Sequence, residues 1–350
     1  MSRIAPEQLE RFIEQLFLDT HTSPEVASVV SRILVEGDLL GHHTHGVKLA
    51  QGYLKDLRNG HAKGNAASLQ IVRQTPAAIL YDANYLLGPY CVEQALDFTA
   101  NAARTFGIGI ASIRRSHHIA CLAAYLQRYT DQDLIPLVLT SDPATASVAP
   151  HGGLDPVYTP NPLGIGIPTG DKPILIDVSM STITNGLVNK THQAGGRLEH
   201  AALIGQDGQP TRDTSAYFNT PPGAILPLGS LEFGHKGFAL GTMVEALTGG
   251  LAGYGRKDGV KQWGAAVTVL TFDPAFFGGG DDLKAEMDHF VAACLASRPR
   301  EPQHPVRMPG HAAIARRAQA FEQGLQLPDD VLQALRAAAQ EAGSDYPFQD

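Results

Sequence analysis

Three of the chain's 14 histidines fall within four positions, in Gly41-His42-His43-Thr44-His45-Gly46. A second set, Ser116-His117-His118, lies downstream. An imidazole, with an ordinary pKa of roughly 6.5, can give or take a proton near neutral pH and can also bind a metal. The metal reading fares poorly. His43 and His45 form His-x-His, whose side chains share a face only on extended backbone, whereas this stretch leaves a helix. No His-Glu-x-x-His, cysteine pair or set of aspartates at ligand spacing accompanies them, so no metal site is expected. His42 and His43 read as basic residues complementing a helix C-terminus. His45 stands apart, because Thr44 supplies a hydroxyl and Gly46 admits close approach by backbone or substrate. His118 follows an apolar strand, at the kind of loop where α/β folds present reactive groups.

The elements that must position these residues follow from apolar spacing. Leu9, Phe12, Ile13, Leu16 and Phe17 recur at helical period. Ser23-Pro24 opens a second helix with Val26, Val29, Val30, Ile33 and Leu34 on one face, ending at Gly41. A third helix runs from Val47 to Arg58 and stops at Asn59-Gly60. From about residue 65 to 300 strands and helices alternate. Strands are expected at 69–72, 78–81, 108–113, up to Thr140, 163–167, 174–178 and 265–271. Helices are expected at 89–105, 119–129 and 237–251, with Thr220 to Gly237 as a Pro- and Gly-rich loop. Helices return at 311–323 and 328–341.

With 350 residues, 43% apolar and 18% charged, the chain has the profile of a soluble globular protein. A net charge of -8 argues against nucleic acid or an anionic membrane as partner. Cys91, Cys121 and Cys294 give neither a disulfide framework nor a zinc site, which fits a reducing compartment. The first residues lack the apolar core of a signal peptide, and no apolar run reaches the roughly 18 residues of a membrane span. A cytoplasmic location is expected.

A Rossmann fingerprint is absent. "FGIGIAS" lacks its third glycine, and "LGIGIPTG" runs into a turn. Other segments suit a phosphate or ribose. "GHKG" sets His235 and Lys236 before an expected helix, "MPGHAA" sets Gly310 and His311 before another, and "DVSMS" ends a strand with an acid and two hydroxyls.

Six segments in order then carry a resemblance: "GHHTHGV", "IRRSHHIA", "TPNPLGIGIP", "DVSMS", "PLG…GHKG" and "VRMPG". Through nearly its whole length the chain resembles the malate/L-lactate dehydrogenase family that is not Rossmann-based. The resemblance implies an α/β (α+β) fold. A non-Rossmann cofactor domain with a mixed, largely antiparallel sheet (65–305) would join a helical domain (1–64 with 306–350) carrying part of the substrate site. It implies a homodimeric, NAD- or NADP-dependent oxidoreductase. Hydride would pass between nicotinamide and a small 2-hydroxy or 2-keto acid, a carboxylate substrate. The alternative is reduction of a cyclic imino acid at C=N. A metal-dependent hydrolase and a catalytically silent family member are lesser readings.

Carried over by position, His45 and His118 fall on the catalytic histidines, Thr44 on the serine beside the first, and Tyr53 on a substrate-contacting tyrosine. Ser141, Asp177, Val178, Ser179, Met180, Ser181, Thr182, His235, Lys236, Gly310 and His311 fall on cofactor contacts. Four departures stand out. Leu49 replaces an arginine that faces substrate in several members, so Arg115, Lys48 or Arg114 is expected to meet the substrate carboxylate. Arg115 stands where Asn is usual, Ala120 where Gly is usual, and Ser230 to Phe233 is inserted before "GHKG".

Overall fold

The computed structural model describes residues 3–348. The terminal helices form where the apolar period places them. In α1 (Pro6–Leu18), Leu9, Phe12, Ile13, Leu16 and Phe17 are all buried, the stripe of an amphipathic helix. Next, α2 (Pro24–Leu39) begins with proline and buries Val26, Val30, Ile33 and Leu34. Val29, expected on that face, is half-buried. The Ser23 hydroxyl does not cap the helix; it accepts the Ala66 N–H at 3.3 Å. Gly41, at φ +89°, turns the chain out of α2. After a single 3-10 turn at His43–His45, α3 (Leu49–Arg58) follows.

The middle of the chain alternates as expected: β1 (Gln70–Gln74), β2 (Ala78–Asp82), α4 (Gly88–Phe106), β3 (Ile108–Ser116), α5 (Ala123–Thr130), β4 (Ile135–Ser141), β5 (Leu163–Ile167) and β6 (Ile174–Val178). It continues with α6 (Asn185–Gln193), β7 (Leu203–Ile204), β8 (Pro210–Thr211), α7 (Ser215–Phe218), β9 (Ala224–Ile225), α8 (Ser230–Glu245) and β10 (Ala265–Phe272). Helices α9 (Gly280–Ala296), α10 (His311–Gln323) and α11 (Asp329–Ala342) complete the order.

Two helix starts differ from expectation. α5 begins at Ala123 rather than near Ile119, because Ala120 takes a left-handed backbone at φ +58°. Conversely, α8 begins at Ser230, with Gly229 at φ +97° as its N-cap, so residues 230–233 are its first turn. "GHKG" therefore lies within the helix and not ahead of it, and its N–H groups are not those of a helix start. α6, α7, α9 and the two-residue strands were not expected. α9 carries Leu283, Met287, Phe290, Val291 and Leu295 at helical spacing, yet none of its residues is buried.

A seven-stranded sheet has the order β1-β2-β3-β10-β4-β5-β6 and is mixed and largely antiparallel. β1 pairs antiparallel with β2, and β2 pairs parallel with β3 in a register that sets Asp82 beside Arg114. The second sheet, β8-β7-β9, is antiparallel.

The chain divides into two compact units, residues 1–138 with 164–176 and 269–350, and residues 139–163 with 177–268. This division runs along other lines than 1–64 with 306–350 against 65–305. The terminal helices share a unit with most of the large sheet, because α2 packs on both α4 and α5. In that unit Leu9, Leu16, Phe17, Ile33, Leu34 and Leu54 have no exposed surface. Fully burying such a side chain is worth about 1.5–3 kcal/mol. The other unit has its own core around Val148, Tyr158, Val188, Leu203 and Ile225. Among the described residues, no helix is long and apolar enough to cross a membrane.

The start of α10 is fixed by close backbone approach. Gly310 has φ +83°, and a Cβ there would lie 2.7–2.9 Å from the Cβ, N and O of Leu175 on β6. Gly310→Ala should therefore lower unfolding free energy by at least about 1–2 kcal/mol in denaturant titrations, the cost of a left-handed alanine alone. An unchanged midpoint would show that β6 and α10 do not meet in this way.

Candidate active site

The 3-10 turn His43–His45 is held from below by the last turns of α2. Asp38, 1% exposed, bonds His43 Nδ1 through Oδ1 at 2.7 Å and accepts the Val47 N–H on Oδ2 at 2.6 Å. Burial raises the Asp38 pKa, opposed by its bonds to His43 and Val47. His43 therefore does not serve the helix end, as basic residues there commonly do; it pairs with Asp38. The helix end is capped by Arg316 of α10, whose guanidinium lies against Gly41 and donates to Leu40 O at 2.9 Å. His45 is half-buried, and its Nδ1 lies 3.0 Å from the Thr44 hydroxyl.

His118 approaches from the end of β3. Its ring stacks on that of His45, with centroids 5.8 Å apart and planes inclined by 26°. His118 Nδ1 accepts the Ala120 N–H at 3.2 Å and lies 2.8 Å from the Tyr53 hydroxyl, which also reaches His118 O at 3.0 Å. A backbone N–H can only donate, so Nδ1 is the acceptor and a neutral ring carries its proton on Nε2. Burial, then the neighbouring His45 and His117, push the His118 pKa well below 6.5. The residue keeps some accessible surface, so the ring is neutral at pH 7 without being sealed from solvent.

Tyr53 of α3 has no exposed surface, and its ring stands edge-on to His117 at 4.8 Å. It meets the His118 imidazole and backbone, where a substrate contact was expected. His117 is buried and paired through Nε2 with Asp56 at 3.0 Å. That bond is the main cause of a lowered Asp56 pKa. The Ser116 hydroxyl donates to His117 O. Of this second cluster, the structure brings only His118 to His45.

The cations near the site differ in how firmly they are held. Arg115 donates to both Asp82 oxygens at 2.8 and 2.7 Å and to Asn84 Oδ1 at 2.6 Å, while Arg114 reaches Asp82 at 2.9 Å. Asp82 has a side chain only 6% exposed. Burial would raise its pKa, but bonds from Arg115, the Asn84 N–H and Arg114 hold it below the ordinary value. Lys48 pairs with Asp330 at 2.6 Å, and these side chains are 42% and 50% exposed. An exposed pair of that kind is worth about 0–1 kcal/mol, whereas stripping one partner from a buried pair is far costlier. Also in this unit, His311 at the start of α10 has a buried Nε2 with no hydrogen-bond partner.

The remaining expected cofactor residues lie in the other unit or at its edge. Ser141 is buried and donates its hydroxyl to Glu245 at 2.7 Å; Glu245 also accepts from Asn161 and Arg256. Burial alone would raise the Glu245 pKa, but the bonds from Arg256, Ser141 and Asn161 lower it. In the 177–182 stretch Asp177 and Ser179 are half-buried, Val178 is exposed and Met180 and Ser181 are buried. Ser181 donates to Ile183 O at 2.7 Å, and the Thr182 hydroxyl contacts Ala202 O and Leu226 O. These hydroxyls hold the strand end together. His235 and Lys236 are exposed on α8, and the His151 ring lies 5.7 Å from that of His235. His151 was not anticipated, since nothing in "APHGG" marks it as a neighbour of "GHKG".

Two stacked imidazoles, one of them held neutral by burial, can exchange a proton with a bound group, and the fold around them matches known dehydrogenases. The chain belongs to the malate/L-lactate dehydrogenase family, whose model matches residues 4–336. It is similar to L-sulfolactate dehydrogenase of Methanothermobacter thermautotrophicus, at 26% identity with 97% of each chain covered. It is also similar to L-lactate dehydrogenase of Cupriavidus necator, at 30% identity over 305 residues, covering 85% of this chain and 86% of that one. Among solved structures, delta1-piperideine-2-carboxylate reductase from Pseudomonas syringae pvar. tomato superposes with a TM-score of 0.84 at 27% identity, covering 97% of this chain and 100% of that one. The protein is therefore an oxidoreductase of a hydroxy-acid dehydrogenase family, whose members use nicotinamide cofactors.

The depressed His118 pKa has a consequence for stability. Above roughly pH 6.5, folded and unfolded chains both hold this ring neutral, and its contribution to stability is complete. As pH falls below that, the unfolded chain takes up a proton that the folded chain refuses, and stability is lost. His118→Gln should flatten the acid loss of stability by up to about 1.4 kcal/mol per pH unit, measured by denaturant unfolding. Parallel pH profiles for parent and variant would contradict the neutral ring.

Proposed function

We propose that this chain is an NAD- or NADP-dependent oxidoreductase that interconverts a small 2-hydroxy acid and its 2-oxo acid, with His45 as the proton carrier. The observation that carries this reading is the stacked pair of imidazoles, in which burial holds His118 neutral and the Ala120 N–H and Tyr53 hydroxyl meet its Nδ1.

In oxidation the hydroxyl proton of the hydroxy acid passes to His45, while a bound nicotinamide would take the hydride from the carbon. In reduction the proton returns from His45 to the oxygen. The cofactor supplies the hydride acceptor and donor; the chain supplies orientation and charge. His118, neutral with Nε2–H, donates a hydrogen bond to the same oxygen as charge builds on it. The Thr44 hydroxyl holds the His45 ring by its Nδ1. Two adjacent rings hold one proton far more readily than two, which keeps the pair from becoming doubly charged.

Lys48 is assigned to the substrate carboxylate. Its pair with Asp330 is exposed and easily exchanged, whereas Arg114 and Arg115 are bound to a buried carboxylate. For the cofactor, the orphaned His311 Nε2 offers a group awaiting a polar partner. The exposed His235 and Lys236, with His151 beside them, suit anionic phosphate. Ser141 and residues Asp177 to Thr182 would contribute mainly backbone, since several of their hydroxyls are taken. A cytoplasmic homodimer is part of the same reading. The apolar surface of α8, with Leu231, Phe233, Leu240 and Met243 exposed, supports association between copies.

The test is a spectrophotometric assay with NADH and NADPH against pyruvate, oxaloacetate, diketogulonate, sulfopyruvate and piperideine-2-carboxylate. Activity confined to the last would support the imino-acid reading. With the best substrate, His45→Asn and His118→Asn should each lower kcat by about 10²-fold or more without altering nucleotide affinity. Lys48→Ala should raise KM about tenfold or more, the loss of one ionic contact. Parental kcat in both histidine variants would overturn the proton-transfer roles, and a parental KM would overturn that of Lys48.

A further inference from the structure

The position of His45 depends on a small clamp that the proton-transfer chemistry does not itself use. The last turns of α2 touch the His43–Val47 loop at four points. Asp38 Oδ1 meets His43 Nδ1 at 2.7 Å, two residues before His45, and Oδ2 accepts the Val47 N–H at 2.6 Å, two residues after it. The backbone closes in as well. A Cβ on Gly37 would lie 2.9 Å from His45 O, and a Cβ on Gly46 would lie 2.1 Å from Asp38 Oδ2. The Asp38 side chain has no exposed surface, while His43 is 37% exposed. A buried carboxylate is expensive unless its oxygens are satisfied, so this one is retained at a cost and is fully occupied in gripping the loop.

We propose that Asp38 is the positioning residue of the site: with His43 and Val47 as its two grips, and Gly37 and Gly46 leaving room for it, it sets the His45 imidazole against His118. Asp38 touches no reacting atom and acts through the loop. The link to turnover rests on the proton-transfer role proposed for His45. A displacement of about 1 Å in a reacting group is enough to cost roughly 10²-fold in rate.

The experiment compares parent, Asp38→Asn, Asp38→Ala and His43→Gln as full-length protein. Readouts are kcat, KM, nucleotide affinity, thermal midpoint and the His45 Cε1–H resonance in histidine-labelled NMR spectra. Asn can still accept the Val47 N–H through its one carbonyl oxygen but turns an amide nitrogen to His43 in place of the second carboxylate oxygen, so it should rescue in part. Expected are a kcat loss of about tenfold in Asp38→Asn and His43→Gln and about 10²-fold in Asp38→Ala. KM and nucleotide affinity should stay within about twofold, and the His45 resonance should move while that of His117 does not. If Asp38→Ala fails to fold, Asp38→Asn and His43→Gln decide. Parental kcat with an unmoved His45 resonance in these two would overturn the proposal. So would a kcat loss that follows a lowered thermal midpoint while the His45 resonance stays in place. A parent inactive on every 2-oxo acid would count against the proposed reaction alone, because the resonance still reports whether Asp38 sets His45.

Discussion

The bond from the Ala120 N–H to His118 Nδ1 is the contact on which the chemistry of the site depends. It makes Nδ1 an acceptor, puts the neutral ring's proton on Nε2, and with the Tyr53 hydroxyl fixes the ring plane. Protonating Nδ1 would set its proton against the Ala120 N–H, in addition to the burial and neighbouring imidazoles that already depress the pKa. His45 is half-buried, and its Nδ1 lies 3.0 Å from the hydroxyl of an exposed threonine. On the proposed reading the two stacked rings take separate roles, His45 carrying the proton and His118 donating a hydrogen bond.

The scaffold reaches this arrangement by holding each imidazole from a different element. His45 stands on the end of α2 through Asp38, Gly37 and Gly46. His118 stands at the end of β3, where Tyr53 of α3 and the left-handed Ala120 bring the chain back on itself. The register of β2 on β3 places Asp82 beside Arg114, and Asp82 then ties down Arg115. These anchors are buried, whereas Lys48 and its partner are exposed. The two imidazoles are thus held by buried groups, while the nearby Lys48 is held by an exposed pair.

Much of this was legible beforehand. The stripe Leu9, Phe12, Ile13, Leu16, Phe17 and the strand at 163–167 form as spacing dictates. His45 and His118 share no sequence neighbourhood, and only the family resemblance paired them. Two departures from the family pattern acquire a physical meaning. Arg115 and Ala120 have φ +53° and +58°. Asn and Gly, the residues usual at these positions, enter that left-handed region most easily. What stayed hidden was tertiary. Asp38 looks like any polar residue near a helix end, and Tyr53, which the resemblance set on a substrate contact, gave no sign of its bond to His118. His151 becomes a neighbour of His235 only once the chain has folded. The insertion Ser230 to Phe233 read as loop because Gly229 and the preceding prolines dominate the local signal, yet it forms the first turn of α8.

The central claim is that His118 is a neutral imidazole at pH 7 with its proton on Nε2. Nitrogen-15 NMR of the full chain with labelled histidine tests this most directly, because the two ring nitrogens of each tautomer resonate far apart. The expected result is a His118 ring with an unprotonated, hydrogen-bonded Nδ1 and a protonated Nε2, unchanged from neutral pH to well below roughly 6.5. A ring protonated on Nδ1, or one that titrates like a free histidine, would contradict it.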